Sequence, residues 1–218
     1  LAYRELSCPE IRDKVGKLRF LHKYDRRPVR HCLLSGGNPF FLPAEKLLWI
    51  AGELRGAFPE CESISCFARA DDVMKKSAEE LETLHAAGYD RLCLGIESGS
   101  ERVLRYHEKG VGRAGNAEAM RKLDAAGISY SVYVILGLGG RALSDEHIAE
   151  TASLLNGARP FELTVVNLVL FRGARLAERV RAGEFKRLRP LEALGEVFSR
   201  CWRYRLSTMG PTRPTPFR

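Results

Sequence analysis

Three short segments combine glycine with polar residues: Ser35-Gly36-Gly37-Asn38-Pro39, Gly95-Ile96-Glu97-Ser98-Gly99-Ser100 and Gly137-Leu138-Gly139-Gly140. Each follows an apolar run. Glycine lets the backbone adopt positive φ and approach a ligand closely. It also leaves N–H and C=O groups free to hold an amino acid or a nucleotide. Any one segment could be a plain turn; three at equivalent places point to a shared ligand. Glu97 carries the sharpest signal. A carboxylate at the end of an apolar strand faces a cost of burial unless a partner meets it. A bound amine or ribose would serve, and so would a structural Arg or Lys. Lys109, Arg113 and Arg102 follow closely and could instead meet a ligand carboxylate.

Other chemistry is thinly represented. Six cysteines occur, at 8, 32, 61, 66, 93 and 201, and none has the C-x2-C spacing. Cys32, Cys66 and Cys93 sit in strand-like runs and read as reduced core thiols. Cys61 and Cys66 alone are weak evidence for metal, so no metal ligand is assigned. The five histidines show no ligand spacing. His147, in the first turn of a helix, reads as a surface or capping residue. There is no G-x-G-x-x-G between strand and helix, no Walker A lysine and no G-x-S-x-G elbow.

The elements that position these segments alternate. Ser7 with Glu10, and Ser77 with Glu80, have capping-box spacing at helix starts. Leu47, Ile50, Ala51, Leu54 and Phe58 make one helical face behind Pro43. Strands are expected at Val29–Ser35, Ser63–Ala68, Arg91–Glu97, Ile128–Leu136 and Glu162–Phe171. Ser100 should cap a short helix to His107, a second helix should run to Ala126, and Ser144 should cap a helix ending before Pro160. The last helices are expected around Leu176–Arg181 and Leu191–Arg203. Strands separated by helical crossovers imply right-handed βαβ units and a parallel sheet, open or curled into a barrel. Ligands of such folds sit at the carboxyl ends of the strands.

The 218 residues suit one domain over 1–194, with a helix end and a Pro-rich tail over 195–218. Hydrophobic residues make up 45% and charged residues 28%, an ordinary globular balance. No apolar run is long enough to span a membrane. No signal peptide is visible, so the expected compartment is the cytoplasm. The net charge of +8 allows an anionic partner such as nucleic acid, but the basic residues are spread along the chain as on a solvated surface.

In this order and at these separations, the loops resemble the radical S-adenosylmethionine (radical SAM) superfamily. Leu34-Ser-Gly-Gly-Asn-Pro39 resembles its glycine–glycine–glutamate motif, where backbone carbonyls and an acidic side chain bind the amino group of S-adenosylmethionine. Gly95-Ile-Glu-Ser-Gly-Ser100 resembles the strand end that meets the cofactor's ribose or amino acid part. Val132-Tyr-Val-Ile-Leu-Gly-Leu-Gly-Gly140 resembles the strand and glycine-rich loop near the adenine. Leu168 to Leu176 and Gly183-Glu-Phe185 resemble the following strand and its continuation. The resemblance implies a partial TIM-like (β/α)6 barrel and cofactor contacts from Ser35, Gly36, Gly37, Asn38, Glu97, Ser98, Lys109 and Gly137.

Two departures stand out. Asn38 occupies the usual acidic position, which removes a charge partner for the cofactor's ammonium, although its amide oxygen still accepts a hydrogen bond. The three-cysteine motif that holds a [4Fe–4S] cluster is absent, together with the first strand. The expectation is therefore that both lie upstream and that this chain alone is inactive. The full-length protein would use S-adenosylmethionine, the cluster and an electron donor on a small or macromolecular substrate that the sequence does not identify. The alternatives are a cluster-less S-adenosylmethionine-binding or scaffold domain, and an unrelated barrel enzyme acting on an anionic substrate or RNA.

Overall fold

Capping sets the first boundary. Ser7 Oγ accepts from the Glu10 N–H at 3.4 Å while Glu10 Oε2 accepts from the Ser7 N–H at 2.8 Å, and helix α1 (Cys8–His22) starts there. The computed structural model describes residues 4–25 and 27–198. After α1 come β1 (His31–Leu34), a 3-10 turn at Pro39–Phe41, α2 (Ala44–Ala57) and β2 (Ser63–Arg69). Helices α3 (Ala70–Lys75) and α4 (Ala78–Ala86) lead to β3 (Arg91–Glu97). Helices α5 (Glu101–Tyr106) and α6 (Arg113–Ala125) lead to β4 (Ser129–Leu136). Then follow α7 (Ser144–Asn156), β5 (Glu162–Asn167), α8 (Arg175–Arg181) and α9 (Pro190–Val197).

The strands form one sheet in the order β1-β2-β3-β4-β5. Strands β1 and β2 are parallel, with His31 opposite Ser63 and Leu34 opposite Cys66. Strands β4 and β5 are parallel, with Ser131 opposite Glu162 and Leu136 opposite Asn167. Every strand lies beside its sequence neighbour. That is the winding of a β/α barrel; a doubly wound sheet would reverse its order at a switch point.

The chain divides into two compact units. One holds the described residues up to Leu94 together with Lys122–Tyr130. In it, α2 packs against α1 and α4, and Leu47, Ile50, Ala51, Leu54 and Phe58 are buried as the helical spacing requires. The other holds Gly95–Arg121 and the described residues from Ser131 onward. Its buried residues include Ile96, Val132, Val134, Ile148 and Ala152, and α7 packs against α9.

The structure departs from the sequence expectations at four places. Strand β5 ends at Asn167, short of Phe171, where Val169 and Phe171 are exposed and Gly173 turns at φ +79°. Helix α3 was not expected; its six residues are too few to show a period. Ser144 is the first residue of α7, not its cap, and its hydroxyl donates to Glu196 Oε1 at 2.6 Å. Helix α9 ends at Val197, short of Arg203; Cys201, Trp202, Tyr204, Phe217 and the tail from Gly210 lie outside the described residues. Among the described residues no helix is long and apolar enough to cross a membrane.

Candidate functional site

In the first unit the site residues form the loop after β1. Ser35, Gly36 and Gly37 are exposed. Gly36 and Gly37 have φ of +94° and +133°, values that side-chain-bearing residues rarely reach. A Cβ at Gly36 would meet nothing within 4 Å, so open space adjoins this backbone. Asn38 precedes the 3-10 turn, and its Nδ2 donates to Asp72 Oδ2 on α3. Asn38 Oδ1 is buried and has no partner. Lys76 ties the same pieces together by donating from Nζ to the Phe40 carbonyl at 2.8 Å and the Leu42 carbonyl at 3.0 Å. Burial pushes the Lys76 ammonium below its ordinary pKa, with the Asp72 carboxylate opposing.

In the second unit Glu97 terminates β3 at φ +61°. The Ser98 N–H donates to the Ile96 carbonyl at 2.7 Å, closing a three-residue γ-turn on Glu97. Positive-φ γ-turns are rare and strained, and such strain collects at ligand sites. Lys109 pairs with Glu97 and directly follows Glu108, another residue at positive φ (+53°). The cation Glu97 requires is therefore present as Lys109. Arg102 and Arg113 are engaged elsewhere: Arg102 pairs with Glu146 at 2.6 Å, and Arg113 donates to the Gly99 carbonyl at 2.9 Å and pairs with Glu150 at 2.9 Å.

Behind Glu97 the strand end is fixed by buried polar bonds. Ser98 Oγ accepts from the Ser100 N–H at 3.0 Å and lies 2.8 Å from His147 Nδ1. The Gly99 N–H donates to Thr151 Oγ1 at 2.8 Å. A Cβ at Gly99 would come within 2.5 Å of Thr151 Cα, so only glycine lets α7 approach this closely. Ser100 caps α5 as expected, accepting from the Val103 N–H at 3.2 Å. Asn116 Nδ2 donates to the Ile96 carbonyl at 3.2 Å.

His147 corrects the sequence reading. It is fully buried rather than a surface or capping residue, and burial pushes its pKa down to about 4 against the opposing Ile135 carbonyl. The imidazole is neutral at neutral pH and acts here as a hydrogen-bonding strut. Ser98 is fully buried as well, so its hydroxyl shapes the turn. Gly137, after β4 at φ +74°, has its N–H taken by Glu196 Oε2 at 2.7 Å and its carbonyl accepting from the Gly140 N–H at 3.0 Å. Glu196 is buried, which pushes its pKa up, with the Ser144 hydroxyl and the Gly137 N–H pulling it back. Asp72 and Glu196 were not singled out in the sequence, and His147 was given the wrong role there. Nothing in their spacing marks them, because their partners are remote in the chain.

The residues present fit part of what the resemblance implies. In the first unit a glycine loop beside an unpaired buried acceptor has the chemistry to hold an amine, and in the second a strained carboxylate paired with a lysine has the chemistry to hold hydroxyls or an amine. An iron–sulfur cluster is not matched: among the described residues no group of three His, Cys, Asp or Glu could hold a metal. The described cysteines are free thiols. Cys61 Sγ lies 3.6 Å from Cys32 Sγ, and burial with this neighbour pushes the Cys32 thiol up to about 12. High-pKa thiols of this kind are poor ligands and poor nucleophiles.

Similarity to known proteins agrees with this picture. Over 170 residues the chain is 31% identical to the heme chaperone HemW of Mycobacterium tuberculosis, covering 74% of this chain and 41% of that protein. It is 27% identical over 155 residues to the uncharacterized protein MJ0486 of Methanocaldococcus jannaschii, covering 70% of this chain and 47% of that one. The chain thus spans less than half the length of these relatives. Among solved structures, coproporphyrinogen III oxidase (HemN) of Escherichia coli, a radical SAM enzyme, superposes with a TM-score of 0.68 at 19% identity, over 86% of this chain and 42% of that one. An archaeal Elp3 of Methanocaldococcus infernus gives a TM-score of 0.65 at 19% identity, over 87% and 48%. At that identity the likeness shows the fold, a parallel α/β half-barrel core. Residues 2–155 match the Radical SAM superfamily profile, and the chain belongs to that superfamily.

Proposed function

We propose that this chain is the S-adenosylmethionine-binding core of a radical SAM enzyme. The observation that carries the reading is Glu97, on a strained γ-turn at the end of β3 and paired with Lys109 from the loop after α5. Bound together with a [4Fe–4S] cluster and an electron donor, S-adenosylmethionine supplies a 5′-deoxyadenosyl radical in this superfamily. The chain's own residues bind and orient. Gly36 and Gly37 offer backbone to the amino acid part. Glu97 accepts from ribose hydroxyls or an amine, and Lys109 fixes its carboxylate or turns to the cofactor carboxylate. The cluster ligands would come from a C-x3-C-x2-C segment outside this sequence. The test is anaerobic reconstitution of the full-length protein with iron and sulfide, followed by reduction with S-adenosylmethionine. Iron–sulfur absorbance and release of 5′-deoxyadenosine are expected; their absence overturns the radical reading.

A second reading is a cluster-less domain that binds S-adenosylmethionine. Asn38, in the position the superfamily usually gives to an acid, favours it. Calorimetric binding of the cofactor without any cluster on reconstitution of the full-length protein would select this reading.

A further inference from the structure

Asp72 is 2% exposed and sits on a helix the sequence did not reveal. Buried carboxylates require partners, and Asp72 has two: Asn38 Nδ2 on Oδ2 and Lys75 Nζ on Oδ1 at 3.0 Å. Lys75 is an outside partner, with its side chain 64% exposed and shared with Asp71 at 3.7 Å. The Asp72 end of this pair is buried while the Lys75 ammonium stands largely in solvent, which screens it. Lys76 is closer to the interior but spends its donors on the Phe40 and Leu42 carbonyls and lies over the Phe40 ring at 4.6 Å.

The Asn38 amide has one sensible orientation. Its oxygen facing the Asp72 carboxylate would set lone pairs against lone pairs, so Nδ2 faces Asp72 and Oδ1 is left over. That Oδ1 is buried and unpaired, which costs free energy until a donor arrives. The donor must enter beside two exposed positive-φ glycines and next to a fixed negative charge. A primary ammonium meets all three conditions. It donates to Oδ1 and to backbone carbonyls, and it is attracted by Asp72.

We propose that Asp72 supplies the negative charge for the α-ammonium of S-adenosylmethionine that Asn38 lacks, with Asn38 Oδ1 as the neutral acceptor beside it. The charge is moved by one residue across a hydrogen bond, not lost. This rests on the reading of the chain as a cofactor binder, and it deepens that reading by making Asp72 a recognition residue for the amine.

The test is calorimetric titration of the full chain with S-adenosylmethionine and with methylthioadenosine, which keeps the nucleoside but has no amino acid part. Asp72→Asn is expected to weaken S-adenosylmethionine binding by about tenfold or more, the scale of one lost charge-assisted contact. Methylthioadenosine binding should be unchanged. The double variant Asn38→Asp/Asp72→Asn exchanges the two groups and keeps the amide–carboxylate bond, so it should restore affinity. Wild-type affinity in Asp72→Asn overturns the proposal, as does equal loss for both ligands, which would mark a structural role. Failure of the exchanged pair to restore affinity also overturns it. If the wild-type chain takes up neither ligand, the parent reading falls and this one with it; if only the Asp72 arms fail, the parent reading stands.

Discussion

Glu97 stands in the left-handed region, which costs a non-glycine residue about 1–2 kcal/mol. Glu97→Gly separates conformation from chemistry. The variant should melt at or above the wild-type temperature, because the γ-turn suits glycine, yet lose about tenfold or more in S-adenosylmethionine affinity. A calorimetric melt and a titration read the two effects. Glu97 was legible in the sequence because an acid after an apolar strand is conspicuous. His147 was not, because helix position alone says nothing of a partner such as Ser98, which lies far away in the chain. Its burial gives a pH signature. The folded pKa is about 4 and the ordinary value about 6.5, so between them the unfolded state binds more protons. Stability from this group is therefore full above about pH 6.5 and falls as pH drops toward 4. The loss approaches about 3 kcal/mol at the limit, as the pKa drops from 6.5 to about 4 on folding. Thermal melts of wild type and His147→Gln at pH 7 and pH 5 should show a smaller acid loss in the variant.

In each unit, short elements held by single buried side chains adjoin the candidate residues. Helix α3 is kept against the loop after β1 by Lys76, and its last turn is met by Lys122, which donates to the Met74 carbonyl at 3.0 Å and to the Lys76 carbonyl. A cation on helix carbonyls is favourable twice over, by hydrogen bond and by dipole. Lys76→Met leaves the Phe40 and Leu42 carbonyls unpaired and should cost about 1–3 kcal/mol in urea unfolding. Glu196 does the same for the glycine loop after β4, holding Gly137 and Ser144 from α9. Glu196→Ala should cost a similar amount, about 1–3 kcal/mol, and loosen that loop to hydrogen exchange. The long elements were readable because capping boxes and helical spacing are local: α1, α2, α4, β3 and β4 fall close to their expected bounds. The short ones were not. Helix α3 has no cap side chain and no full period, and strand β5 stops where its apolar run becomes exposed.

At the scale of the whole chain, the strand order and the superfamily match agree with the partial barrel anticipated from three glycine-rich loops. Membership removes the reading of an unrelated barrel and leaves the radical enzyme and the cluster-less binder or scaffold. The radical enzyme and the binder require that these residues take up S-adenosylmethionine; a scaffold does not. The loops could be read because positive-φ backbone after a strand leaves glycine in the sequence. Asp72 could not, because a substituted charge leaves only an ordinary acid on an ordinary helix. The most direct measurement is calorimetric titration of the purified chain with S-adenosylmethionine. Saturable, one-to-one binding is expected, and Glu97→Gly and Asp72→Asn should each weaken it. A titration in which the folded chain takes up no S-adenosylmethionine contradicts the proposed function.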